Sequence, residues 1–309
     1  MIDVFKTVNN ELIRTDNYDE GVWVNLVNPN EEEIDKVGAL LNVEVDFLKA
    51  ALDEEERARI ESDNGQTLII VDIPVVEGEG KNNVYTTIPL GIIILKHAII
   101  TVCLKEDTLL SDFIKNGVKA FLTQYKTRFV LQILFKNATR YLQYLKHIDK
   151  RSSRIEQDLH ISMKNKELIQ MLKLEKSLVY FSTALKSNEV VLEKLTKYEH
   201  IKFYPEDTEL LEDVIIENKQ AIEMATIYSN TLNGTMDAFA SVISNNLNIV
   251  MKFLTSVTIV MAIPTMVSSF FGMNVKLPLA APYSFWLVIA IAALLCTLAI
   301  YFLYRKKMF

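Results

Sequence analysis

Two stretches near the end of the chain carry no charged side chain for long enough to cross a lipid bilayer. Phe253 to Phe271 is built from Val, Ile, Met, Phe and small residues, and Phe285 to Tyr304, FWLVIAIAALLCTLAIYFLY, is apolar apart from Thr297 and its tyrosines. Each meets the requirement of roughly 20 apolar residues for a spanning helix. No water reaches the hydrocarbon, so every backbone group there must bond within the segment, and both stretches are expected to be helices. Lys252 precedes the first, and Arg305, Lys306 and Lys307 follow the second. Lys and Arg are retained on the cytoplasmic side. Both termini are therefore expected in the cytoplasm, with only Gly272–Ser284 outside, in a multi-pass protein of the cell (inner) membrane.

Charged residues form 23% of the chain yet almost vanish from its last fifty-odd positions, so the remainder must be a charged, water-exposed body. Only 9 Gly and 7 Pro leave few turns, which predicts long helices. Residues 1–125 read as an α/β domain with a mixed sheet: Val22–Val27, Thr67–Val76, Val84–Leu95 and Ala98–Leu104 are β-branched runs. NEEEIDKVGALLN and Asp46 to Asp53 between them read as helices, the first with acids in its opening turn. Residues 126–204 carry apolar side chains at three- and four-residue spacing and read as an antiparallel helical pair joined near Ser162–Asn165. From Pro205 a stalk helix is expected over 205–252, continuing into the first span at 253–271. At about 1.5 Å per residue such a helix is roughly 95 Å long, far more than a bilayer needs. An outer loop at 272–284, a second span at 285–304 and a basic cytoplasmic tail at 305–309 complete the reading.

A net charge of −6 and a pI near 5.4 argue against a nucleic-acid partner and suit divalent cations. Cys103 and Cys296 lie far apart and form no disulfide framework. His97, His147, His160 and His200 are scattered, and neither CxxC, HExxH nor a phosphate-binding glycine loop occurs. No enzyme and no organic cofactor are expected. The first residues lack the basic and apolar regions of a signal peptide.

Steps of four and three from Asp237 pick out Asp237, Ser241, Ser244, Asn248, Met251, Thr255, Thr258, Ala262, Thr265 and Ser269. A coiled coil would place Leu or Ile on this heptad seam, but here nearly every position is small or polar. Close packing between membrane helices is one explanation, since small residues let backbones approach. A water-filled pore ringed by copies of this helix is the other, with Met251 as an apolar constriction. The carboxylate of Asp237 favours the pore, because packing has no use for it. Two spans cannot enclose a pore, so this reading requires an oligomer.

At the outer end of the seam the sequence reads SSFFGMNVKLP, where Gly272 would let the chain leave the helix and Asn274 offers a neutral amide. Amide oxygens around a mouth suit the water shell of Mg²⁺, which dehydrates reluctantly. FFGMN between two C-terminal spans, the terminal YRKKMF, the run VISNNLNIVMKFLT, VWVNL near the start and LDEEERARIE (Leu52–Glu61) together resemble the CorA family of divalent-cation transport proteins. The resemblance implies a funnel-shaped homopentamer, in which an α/β cytoplasmic domain and long helical stalk lead to two C-terminal transmembrane helices. It implies passive Mg²⁺ uptake, with Co²⁺ or Ni²⁺ also carried, and closure when cytosolic Mg²⁺ binds between the bodies.

By the same resemblance, Gly272, Met273 and Asn274 form the selective outer mouth, Asn248 and Thr265 line the pore, Met251 and Leu254 form a hydrophobic gate, and Asp237 forms an inner ring. Three positions depart from the family pattern. Ala50 stands where a regulatory carboxylate is expected, with Asp53 and Glu54 nearby as substitutes that could hold regulatory Mg²⁺ together with Asp237. Ala262 occupies a lower hydrophobic ring, and the outer loop has Lys276 and no acid. A ZntB-like Zn²⁺ transporter coupled to a proton gradient is the alternative.

Overall fold

The computed structural model describes residues 1–78, 83–106, 108–115, 121–162, 165–198, 201, 203–273 and 284–308. The chain divides into two compact units, Met1–Gly234 and Thr235–Phe309.

The first unit is built on one sheet of seven strands: β1 (Ile2–Val8), β2 (Glu11–Arg14), β3 (Val22–Val27), β4 (Arg59–Asp63), β5 (Gln66–Glu77), β6 (Val84–Ile94) and β7 (Ala98–Cys103). Their order across the sheet is β2-β1-β3-β7-β6-β5-β4. Among the described residues only β3 and β7 pair in parallel, with Trp23 opposite Ile99; every other neighbour is antiparallel. The sheet is therefore mixed, as its sequence suggests. The β1–β2 and β4–β5 hairpins turn on Asn9-Asn10 and Asn64-Gly65, all four with positive φ. Paired left-handed residues give a two-residue turn the twist that antiparallel strands need.

Helices cover both faces. On one side α1 (Glu31–Leu41) and α2 (Val45–Ala50) bring Ile34, Val37, Phe47 and Leu48 against Val24, Leu68, Ile70 and Ile100. On the other, α3 (Thr108–Ile114), α4 (Lys126–Ser162), α5 (Asn165–Leu195) and the start of α6 (Pro205–Phe271) bring Phe113, Phe129, Ile133, Leu192 and Leu211 against Trp23, Ile69, Val71 and Ile99. Adjacent residues of β5 thus enter different cores, which is why its sequence is a continuous apolar run rather than an alternating one.

Local chemistry sets the helix ends. Asn30 caps α1 by accepting from the Glu33 amide at 2.8 Å, while the Glu33 carboxylate accepts from the Asn30 amide at 3.1 Å. This reciprocal box satisfies two amides that the first turn cannot. The helix expected from Asp46 to Asp53 stops earlier, at Ala50. It lies close to the sheet: a Cβ on Gly91 would come within 2.8 Å of the Ala51 Cβ, so glycine is what permits that approach.

The second unit contains the end of α6 and α7 (Ser284–Arg305), which run antiparallel, with Ser256 meeting Met308 and Val260 meeting Cys296. Both helices are long and apolar enough to cross a membrane, and only 6% of the most apolar window in each is buried. A core helix of a water-soluble protein would bury most of that surface.

Candidate functional site

The ten positions of the polar seam, Asp237, Ser241, Ser244, Asn248, Met251, Thr255, Thr258, Ala262, Thr265 and Ser269, all lie on α6 and are all exposed. Burial along the spanning part of α6 falls elsewhere, on Ser256, Val257, Val260, Ile263, Val267 and Phe271. At about 100° per residue, the seam from Thr255 to Ser269 lies roughly 160° around the helix from the face Ser256, Val260, Ile263, Val267 and Phe271. That second face is the one against α7. The small residues of the seam therefore do not serve packing within the chain. The small residues that do serve it are Ser256 on α6 and, on α7, Ala292, Cys296 and Ala299, which fall on the half-buried side with Leu303.

The hydroxyls of the seam have a defined polarity. Ser241 donates to the Asp237 carbonyl at 3.0 Å, Thr258 to Leu254 at 2.8 Å and Thr265 to Met261 at 3.3 Å. Each proton is committed to the helix's own backbone, so the outward surface of these hydroxyls is oxygen lone pairs. A hydrated cation presents water hydrogens outward, and such a surface can accept them. Ala262, Thr265, Met266, Ser269 and Phe270 line a shallow concavity near the C-terminal end of the seam.

Met251 and Leu254 are 54% and 58% exposed, one turn from each other. Gly272 closes the helix while its amide still bonds the Ser268 carbonyl at 2.9 Å, and its φ is not left-handed. A Cβ at this position would sit 3.2 Å from the Ser268 oxygen, so a larger residue needs that turn to give by a few tenths of an ångström. Met273 is exposed, and Asn274 lies outside the described residues.

Two of the expected regulatory acids, Asp53 and Glu54, make contacts within the first unit. Asp53 accepts from the Glu55 amide at 3.0 Å, and Glu54 lies 4.0 Å from Lys105, which binds Glu77 more closely at 2.7 Å. Ala50 packs at the edge of the core under α1 and α2. Asp53 and Glu54 belong to the first unit and Asp237 to the second. Among the described residues no group of three or more His, Cys, Asp or Glu could hold a metal ion.

Sequence reasoning missed the seam between the two apolar helices. Pro264 lies inside α6 and has no N–H for the Val260 carbonyl, and the Cys296 thiol donates to that carbonyl at 3.7 Å. The signal was present as a proline inside one span and a lone thiol in the other. Ser256, fully buried, shares its one hydroxyl proton between the Lys252 carbonyl at 2.8 Å and the Met308 carbonyl at 3.2 Å.

Residues 18–305 match the family model described as CorA-like Mg²⁺ transporter protein. The chain is 30% identical over 295 residues to the cobalt/magnesium transport protein CorA of Methanocaldococcus jannaschii, covering 92% of this chain and 90% of that protein. The complete structure of the CorA magnesium transporter from the same organism superposes with a TM-score of 0.86 at 26% identity, over 98% of this chain and 96% of that one. The cytoplasmic domain of ZntB from Vibrio parahaemolyticus shares the fold alone, with a TM-score of 0.60 at 12% identity over 79% of this chain and 96% of that one.

Proposed function

Because this chain belongs to the CorA-like Mg²⁺ transporter family, we propose that it forms a homopentameric channel for passive uptake of Mg²⁺, carrying Co²⁺ and Ni²⁺ as well. The observation that carries this reading is the exposed seam of α6, set away from α7, with its hydroxyl protons turned onto its own backbone.

Copies of α6 around an axis would line a path whose walls accept hydrogen bonds from the water shell of the ion. Mg²⁺ need not lose that shell, which is the costly step for an ion of its charge density. Asn274 and the end of α6 would receive the hydrated ion at the outer mouth, with Gly272 and Met273 shaping the approach. Thr265, Thr258, Thr255 and Asn248 would pass it inward. Met251 and Leu254 would form the constriction that closes by excluding water. The acid of Asp237 would draw the ion towards the cytoplasm. Residues 253–271 and 285–304 span the bilayer in this reading, with both termini cytoplasmic and 272–284 outside. Cytosolic Mg²⁺ would close the channel by bridging acids of neighbouring bodies, with Asp53, Glu54 and Asp237 as candidates.

Ion entry into liposomes containing the purified protein tests the proposal, comparing Mg²⁺, Co²⁺, Ni²⁺ and Zn²⁺ with and without a proton gradient. Mg²⁺ entry independent of the gradient is expected, and Asn274→Ala should abolish it while the oligomer still elutes intact. Full flux in Asn274→Ala would remove the mouth from Gly-Met-Asn. Zn²⁺ entry that requires the gradient would replace this reading with that of a coupled zinc transporter.

A further inference from the structure

After Asp237 the sequence contains no Asp or Glu, yet Lys252, Arg305, Lys306 and Lys307 gather at one end of the α6–α7 hairpin. The gathering is built. Lys307 takes the left-handed conformation with φ 54, the Met308 amide bonds the Leu303 carbonyl at 3.1 Å and the Lys307 amide bonds Tyr304 at 3.0 Å. These two bonds form the Schellman ending, in which the left-handed position is usually glycine. Here lysine occupies it, accepting the strain of a Cβ in that region.

The tail is then tied across to α6. The Met308 carbonyl accepts from Ser256, whose side chain also bonds the Lys252 carbonyl one turn earlier. One buried hydroxyl thus fixes the C-terminal cations beside the lysine that ends the first apolar stretch. All four cationic residues are exposed, and the second unit beyond Asp237 has no carboxylate side chain to neutralise them. Tyr301, Phe302 and Tyr304 stand exposed in the turn before them, and the Lys306 ammonium lies 6.0 Å from the Phe302 ring centre. Aromatic side chains followed by cations match the boundary between acyl chains and headgroups.

We propose that Lys252, Arg305, Lys306 and Lys307 form a binding site for the phosphate headgroups of anionic phospholipid, held in shape by the Ser256–Met308 bond. The inference rests on the reading that the hairpin spans a bilayer. The cluster's charge and its place select the ligand: at the end of a spanning hairpin, lipid phosphate is the anion at hand, and polybasic segments there attract it. Fixing the four groups before the lipid arrives reduces the ordering cost of binding. A ligand held this way would restrain the cytoplasmic ends of both helices together.

The test uses the full-length protein in phosphatidylcholine vesicles, with either brominated phosphatidylcholine or brominated phosphatidylglycerol added at equal mole fraction. Quenching of Trp286 by brominated phosphatidylcholine reports insertion. A Tyr304→Trp, Trp286→Phe variant reports the cytoplasmic end. There, brominated phosphatidylglycerol should be enriched about fivefold over brominated phosphatidylcholine, and less as salt rises. Replacing all four cations with Gln should bring the two lipids to parity, whereas Lys→Arg at the three lysines should retain the preference. Ser256→Ala should reduce it with insertion intact.

Equal quenching by the two lipids at position 304, or a preference that survives the four Gln substitutions, overturns the headgroup site while Trp286 quenching still upholds the spanning hairpin. Absence of Trp286 quenching overturns the spanning reading, and the headgroup site falls with it.

Discussion

The thiol of Cys296 donates to the carbonyl of Val260, the carbonyl whose normal helical donor is removed by Pro264 four residues later. In hydrocarbon no water can substitute, so the interhelical bond both satisfies an orphaned group and fixes the register of the two spans. Cys296→Ala should lower hairpin stability by about 0.5–1.5 kcal/mol, the range of a net hydrogen bond. In a Pro264→Ala background the same change should cost little, because the alanine restores a backbone amide that can bond the Val260 carbonyl. Thermal unfolding of the four proteins in one detergent gives the coupling. Equal losses from Cys296→Ala in both backgrounds would detach the thiol from the proline.

A similar substitution occurs in the sheet. Beyond the last β4–β5 pair, Arg59 with Ile70, the Asp72 amide and carbonyl point past the end of β4, where no strand is left to meet them. The Asn188 side chain accepts from the Asp72 amide at 2.9 Å and donates to its carbonyl at 2.8 Å, while Asn137 and Tyr141 donate to the same carbonyl at 2.9 and 3.1 Å. Asn188→Leu keeps the volume but removes both bonds, and should cost about 2–3 kcal/mol. Asn188→Asp offers an acceptor and an O–H donor while protonated but only acceptors once ionised, and should be destabilising mainly then. Denaturant unfolding at pH 5 and pH 8 separates the two effects.

Burial raises the Asp72 carboxyl from its ordinary 3.8 to about 6. The fold thus favours the protonated form, so stability associated with this group is complete below about pH 4 and is lost as pH rises through 6. The gap corresponds to about 3 kcal/mol. Asp72→Asn should melt higher than the unaltered protein at pH 8, with the difference closing below pH 4. A constant difference across that range would mean that ionisation is not the cause.

Four of the five inner strands were legible because they are buried on both faces; β1, less continuously buried, was not read as a strand. The runs at Val22, Thr67, Val84 and Ala98 correspond to β3, β5, β6 and β7 within one residue at either end. The outer β2 and β4, ELIR and RIESD, alternate charge with partial exposure and are too short for periodicity to register. Pairing with β1 and β5 decides their conformation, and pairing is not written in a local window. The polar seam could be read from the sequence for the opposite reason, since a violation of heptad hydrophobicity is visible position by position. Its orientation relative to α7 was not, because that depends on Ser256, Val260 and Cys296 meeting across two helices.

Regulation makes a separate prediction. If Mg²⁺ bridges acids of neighbouring subunits, it binds the closed assembly better than the open one and stabilises it in proportion to that difference. Mg²⁺ should raise the melting temperature and slow proteolysis of α6, and Asp53→Asn with Glu54→Gln should weaken both effects. A digestion pattern unchanged up to the order of tens of millimolar Mg²⁺, where weak carboxylate sites fill, would leave an ungated pore.

The gate is tested most directly at Met251 and Leu254. Met251 lies on the seam, while Leu254 flanks it and lends its carbonyl to the Thr258 hydroxyl at 2.8 Å. Both side chains are exposed in the single chain, so a ring of copies could bring their apolar ends together. A hydrated ion crossing such a ring would lose water contacts that neither thioether nor methyl groups replace. Met251→Ser and Leu254→Ser supply oxygen and reduce bulk without the helix penalty of glycine, roughly 1 kcal/mol. Each should raise Mg²⁺ leak under closing Mg²⁺ concentrations by about tenfold or more, since about 1.4 kcal/mol off the barrier suffices for that factor. Ser241→Ala, on the same stripe but not in the constriction, should leave the closed leak unchanged. If neither serine variant leaks while the oligomer and its open flux remain normal, the constriction lies elsewhere along α6.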